Sequence, residues 1–194
     1  MSLAPRPNQR FTWADYCAWP DNERWELIDG RAYNMSPAPT IKHQSVTGTL
    51  FSRLEQRLRG KPCRPFIAPT DVKLSDFDVV QPDILVVCDP SKITPSHIEG
   101  APDLVVEVLS PSTSAKDLRE KKALFQRAGV REYLVLDPLE HYSLLFRRGD
   151  DGRFGEGIII AAQESLSFAT LEGVEIPLWE VFELPGPAEG EPGP

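Results

Sequence analysis

Two carboxylates stand where charge is costly. Glu107 lies between Leu104-Val105-Val106 and Val108-Leu109, in a run that otherwise reads as a buried strand. Asp83, behind Pro82, opens a second apolar run, Ile84 to Val87. A buried acid loses solvation unless a cation, a proton or a basic side chain compensates it, so two such acids point to a bound ion or a basic partner. Side chains alternate along a strand, so Glu107 shares a face with Val105, Leu109 and Asp103. Asp103 lies roughly 13 Å away at the strand rise, too far to share an ion. Asp83, on a separate strand that could pair alongside, is the better partner. Two carboxylates with backbone carbonyls and water make a hard oxygen site suited to Mg²⁺ or Mn²⁺. Such an ion activates water and stabilises charge on a phosphate. The alternative for Glu107 is a surface-facing acid on an edge strand.

A basic partner is also in reach. The pattern predicts a helix from 114 to 128 in which Leu118, Leu124, Phe125 and Ala128 fall on one side. Lys121 lies near the centre of that stripe and Lys122 toward its edge. Lys121 either snorkels out along its stem or points at the acids, with Asp117 one turn earlier to hold it.

The elements that must position these groups follow in order. Thr12 caps a short helix through Ala18, which Pro20-Asp21-Asn22 ends. Trp25 to Ile28 and Arg31 to Met35 are strand-like and joined by Asp29-Gly30, a hairpin signal that sets Glu26 in the first strand. Ile41 to Gly60 has a helical period. Along it Arg53, Arg57 and Lys61 form a basic row, either a solvated face or a place to hold a polyanion. Phe66 to Ala68, Asp71 to Leu74 and Val79 to Val87 read as a meander of antiparallel strands, followed by a polar loop over 89–101 with a short helical turn. Strand 103–109, the helix with a capping box at Ser114 and Asp117 and a stop at Gly129, and strand Arg131 to Leu136 make a crossover unit. Tyr142 to Arg147, Phe154 to Ala161 and short runs over 166–176 add further β structure.

Composition bounds the function. A chain of 194 residues with 41% apolar content can bury one sizeable core. We expect a disordered leader over 1–10, a single domain over 11–184 and a disordered tail over 185–194. A formal charge of −8 gives no global basic field, so any nucleic-acid contact must be local. Cys17, Cys63 and Cys88 are scattered and lack a CxxC, which fits reduced thiols in a cytosolic protein and offers no zinc site or disulfide framework. His43, His97 and His141 are scattered too. No apolar run approaches the ~20 residues that span a bilayer, and the N-terminus lacks the hydrophobic segment of a signal peptide, so a soluble cytoplasmic protein without a membrane partner is expected. A dinucleotide-binding enzyme is set aside because no GxGxxG follows a strand.

Pro82-Asp83 followed after 23 residues by Glu107 resembles the PD-(D/E)XK nuclease superfamily, and the closer wording resembles the Uma2 family, the domain of unknown function numbered 820. The likeness runs from Thr12 to Phe182. It is carried by Trp25 to Gly30, His43-Gln44, Val80-Gln81-Pro82-Asp83, Ala101 to Thr113, Asp117 with Lys121, and Gly129 to Pro138. It implies an α/β fold, a restriction-endonuclease-like mixed β-sheet core flanked by helices with additional antiparallel strands. It also implies a Mg²⁺-dependent nuclease acting on nucleic acid, DNA in the first instance, with a homodimer as the expected assembly. Asp83 and Glu107 would hold the metal and Lys121 would complete the catalytic set, with Glu26, His43 and Gln81 as additional site residues. The superfamily's lysine two residues after the acid is replaced here by Leu109, and Lys121 on the following helix stands where the Uma2 pattern has it. The rival reading is a non-catalytic nucleic-acid- or protein-binding module on the same fold.

Overall fold

The computed structural model describes residues 9–20, 23–35, 38–110 and 117–187. Residues 1–8 of the expected leader, the Asp21-Asn22 stop, the Ser114–Asp117 capping box, the Asp117 contact to Lys121 and residues 188–194 of the expected tail lie outside the described residues, whereas Arg10, at the end of that leader, pairs with Asp29.

The short helix α1 (Trp13–Tyr16) starts at Thr12, whose hydroxyl accepts from the Asp15 N–H while the Asp15 carboxylate accepts from the Thr12 N–H. Strands β1 (Trp25–Ile28) and β2 (Arg31–Asn34) pair antiparallel around Asp29 and Gly30. Both turn residues have positive φ, 52° and 74°, as a tight two-residue hairpin turn requires. Helix α2 (Ile41–Leu58) is capped by Thr40 and buries Val46, Leu50, Leu54 and Leu58, the apolar residues that set its period.

The next part differs from the expected meander. Strands β3 (Arg64–Ile67) and β6 (Ile84–Val87) pair with each other, but β4 (Val72–Ser75) and β5 (Asp78–Val80) belong to a different sheet. The apolar run from Val79 to Val87 is therefore two strands, split at Gln81-Pro82-Asp83. Proline has no N–H to give a ladder, and the chain changes sheet there. A five-stranded sheet takes the order β2-β1-β5-β4-β7, in which β7 (Ile98–Glu99) pairs parallel to β4 inside the segment expected to be loop. A six-stranded sheet takes the order β11-β10-β9-β8-β6-β3. In it β8 (Leu104–Val108) and β9 (Glu132–Asp137) are parallel, joined by the expected crossover. Strands β10 (Tyr142–Arg147) and β11 (Ile158–Ala161) continue it antiparallel. Strands β12 (Ser165–Ser167) and β13 (Glu175–Pro177) form a separate pair before the short helix α4 (Leu178–Val181).

The crossover is not a uniform α-helix. Asp117–Lys121 form a π-helical turn, and α3 (Lys122–Ala128) continues from it to Gly129, whose φ of 93° closes the helix. The six-stranded sheet lies between two helices. Leu104, Val106 and Val108 pack with α2, whereas Val105 and Leu109 pack with Leu124 and Phe125 of α3. Glu107 falls on the α3 face by strand alternation.

The cysteine expectation fails for two residues: Cys63 and Cys88 form a disulfide and Cys17 is free. The register explains it. Arg64 pairs with Val87, so the next residues outward on β3 and β6 meet, across 25 residues of sequence. A search for local cysteine spacing cannot see a cross-strand meeting. Among the described residues, no helix is long and apolar enough to cross a membrane.

Candidate active site

Five elements deliver five side chains to one place. Ile84 faces Val106 in the β6–β8 register, so Asp83, one residue before β6, comes level with Glu107. The Val108 N–H donates to Asp83 Oδ2 at 2.8 Å and fixes that carboxylate against the end of β8. His43 sits in the first turn of α2, where its N–H donates to the Thr40 cap. Its Nε2 lies 3.1 Å from the same Asp83 oxygen. An ionised carboxylate only accepts, so this nitrogen carries the hydrogen.

Lys121 ends the π turn and points inward. Its Nζ donates to Glu107 Oε1 at 2.7 Å and to Glu26 Oε1 at 2.8 Å. Glu26 comes from β1 of the other sheet, and the Gln81 main-chain N–H donates to it at 3.2 Å. The side chains of Glu26, Glu107 and Lys121 are 1%, 5% and 5% exposed, so these ion pairs are shielded from water. Asp83 is 20% exposed and marks the side from which solvent reaches the cluster. Two carboxylates share the Lys121 ammonium, and Asp83 stands beside Glu107 in register with His43 and the Val108 N–H on its own carboxylate.

The donor chemistry fits a hard divalent ion at Asp83 and Glu107. Among the described residues no three His, Cys, Asp or Glu side chains are drawn together as a ready metal cage. Mg²⁺ does not need one, since it keeps several waters and binds through one or two carboxylates.

The other expected residues lie elsewhere. The Gln81 side chain turns from the acids: its Oε1 accepts from Arg24 Nε and Nη2 at 2.9 and 2.8 Å, and its Nε2 donates to Asp71 Oδ1 at 2.8 Å and lies 3.1 Å from the Tyr16 hydroxyl. Only its main chain serves the cluster. In the basic row, Arg53 pairs with Glu180 at 3.0 Å and Lys61 donates to the Glu172 carbonyl at 2.8 Å, whereas Arg57 is exposed. Arg53 is ten residues beyond His43, roughly 15 Å along the helix.

Sequence reasoning missed Tyr16 and Asp71, which lie one bond from Gln81. The Tyr16 hydroxyl donates to Asp71 Oδ1 at 2.7 Å. Burial, then the bond and charge of Asp71, push the phenol far above its usual range, so it stays a donor. No local spacing links residues 55 positions apart.

The family model for Uma2, whose description reads "Putative restriction endonuclease", matches residues 13–178. The chain belongs to the Uma2 family. An uncharacterised Synechocystis protein, slr1290, is 31% identical to this Uma2 chain over 152 residues, covering 75% of it and 78% of the relative. A crystal structure from Anabaena variabilis, titled as a putative nuclease belonging to DUF820, superimposes with a TM-score of 0.74 at 18% identity. The match covers 89% of this Uma2 chain and 98% of that one, and at this identity it speaks to the fold alone.

Proposed function

We propose that this Uma2 protein is a Mg²⁺- or Mn²⁺-dependent nuclease that hydrolyses phosphodiester bonds of nucleic acid, DNA in the first instance. The observation that carries the reading is the convergence of Glu26, Asp83, Glu107 and Lys121 from two sheets and a crossover into one shielded cluster. Asp83 and Glu107 would hold the metal, which supplies charge to the phosphate and lowers the proton affinity of an attacking water. Lys121 holds positive charge beside Glu107, where it stabilises charge developing on a phosphate oxygen. Glu26 fixes Lys121 from the opposite sheet, and His43 with the Val108 N–H fixes the Asp83 carboxylate. Water adds across a P–O bond, leaving a phosphate monoester and a hydroxyl. A homodimer would present two such sites to a duplex.

One observation favours a second reading. Lys121 already partners two of the acids, and a cluster compensated in this way suits a non-catalytic binding module. Cleavage of single- and double-stranded DNA and RNA, with Mg²⁺, Mn²⁺ or a chelator, separates the two. The nuclease reading expects cleavage that the chelator stops, and calorimetric Mn²⁺ binding that Asp83→Ala and Glu107→Ala each weaken strongly. Binding without cleavage on any of these substrates, or Mn²⁺ affinity unchanged in both variants, overturns it.

A further inference from the structure

Beside the acid cluster is a cleft of about 290 Å³, just under the roughly 300–1,000 Å³ that ligand sites occupy. Its walls include Phe66, Asp71, Gln81, Thr94, Ser96 and His97. Two links tie it to the acids. The Gln81 side chain lines the cleft while its N–H donates to Glu26, and the Ala68 N–H, beside the wall residues Phe66 and Pro69, donates to the Asp83 carbonyl at 3.0 Å. The Cα atoms of Gln81 and Asp83 are at most about 7 Å apart, with the Gln81 side chain turned to the cleft and the Asp83 carboxylate to the end of β8.

The polar groups of the cleft are matched to donors. Thr70 spends its hydroxyl hydrogen on the Ile67 carbonyl and Thr94 spends its own on the His97 carbonyl. The Gln81 amide gives its hydrogens to Asp71 and Tyr16. Asp71 Oδ1 takes bonds from Tyr16 and Gln81, and Oδ2 takes none of them. What these groups offer a ligand is lone pairs, one of them on a carboxylate, so a phosphate would be repelled and an N–H donor held. The walls are partly flat and rigid. His97 is fixed by Thr94, Ser96 and Glu99 and lies against Trp13 with centroids 4.8 Å apart.

We propose that this cleft seats an unpaired nucleobase carrying an exocyclic amino group, as cytosine and adenine do, with that group on Asp71. It thereby gives the neighbouring site a base preference. The proposal rests on the nucleic-acid reading above. Uracil and thymine present carbonyls where the amino group would be, and those oppose the acceptors of the wall.

Calorimetric titration of the full chain with cytidine, adenosine, uridine and N-acetyl-argininamide tests it. Cytidine or adenosine should bind at least about tenfold more tightly than uridine, the worth of one hydrogen bond to a charged group. Asp71→Asn leaves an oxygen for Tyr16 and Gln81 and presents an amide donor to the cleft, so it should reverse the order. Ser96→Trp, at an exposed wall position, should abolish binding with an unchanged Tm, and it decides the matter if Asp71→Asn does not fold. Equal nucleoside affinities, an order unchanged in Asp71→Asn, or binding of the guanidinium compound alone overturns the proposal. Oligonucleotides with one cytosine moved along an otherwise thymine strand separate a base within a strand from a free nucleoside. Cleavage whose position follows the cytosine supports the proposal, and cleavage indifferent to it overturns the base pocket but leaves the nuclease reading intact. Nucleoside selectivity without any cleavage does the reverse.

Discussion

Glu107 and Glu132 are buried acids on adjacent parallel strands, β8 and β9, yet the protein treats them in opposite ways. Glu132 opens β9 and accepts from the Ala169 and Thr170 N–H groups, the Thr170 hydroxyl and Arg147 Nε. Two of its four donors are backbone N–H groups, fixed by the loop they belong to, and they pin the segment after β12 to the end of β9. Glu107 lies near the other end of its strand, where one of its partners is the ammonium of a flexible side chain shared with Glu26. Backbone donors cannot be exchanged for a ligand without unfolding the loop, whereas an ammonium on a four-carbon stem can swing away. A fixed shell makes a structural acid, and an adjustable one leaves an acid available for chemistry.

The contrast breaks if Glu132 proves catalytic or Glu107 merely structural. Glu132→Ala should have the largest effect on folding, about 3–5 kcal/mol, because it leaves two backbone donors and the Thr170 hydroxyl without their acceptor. Chemical denaturation measures this, and cleavage per folded molecule should not change. A folded variant that loses cleavage would erase the distinction.

Lys121→Met keeps the stem's packing and removes the charge. It should slow cleavage by the equivalent of about 2.7–4 kcal/mol, a hundredfold or more. Lys122→Met is the control. The Lys122 ammonium lies 3.9 Å from the Phe146 ring centroid, so its loss should cost about 0.5–1 kcal/mol of stability and little rate. Matching single-turnover rates in the two variants would overturn the assignment of Lys121.

The smallest effect is expected from the basic row. Arg53 and Lys61 already have partners, so changing Arg53, Arg57 and Lys61 together to Gln should lower the salt dependence of nucleic-acid binding by about one charge's worth, a slope near 0.7–0.9, rather than three. A drop near three would sharpen the picture by making α2 a substrate surface.

What could be read in advance follows from the range of the interactions. Asp83 and Glu107 stood out because each interrupts or opens an apolar run, a signal contained in a few neighbouring residues. Lys121 emerged from helical spacing even though the turn that carries it is π rather than α, because Lys121, Leu124 and Phe125 follow the α period from that turn onward. The split of Val79 to Val87 between two sheets was hidden, since both halves are equally apolar and only long-range pairing separates them. The Cys63–Cys88 bridge and the Tyr16–Asp71–Gln81 network were hidden for the same reason: register and tertiary contact create them. Gln81 differs from these, because its main chain, not its side chain, meets the acids.

Glu26 belongs to the five-stranded sheet, Glu107 to the six-stranded sheet, and Lys121 grips both. The ammonium is thus a clasp between two layers as well as a member of the cluster. Whatever draws Glu107 away from it loosens the junction of the sheets. By thermodynamic reciprocity, the firmness of that junction then sets how tightly the newcomer is held. A substitution far from the acids that changes how the sheets meet would be felt as a change in affinity at a place it never touches.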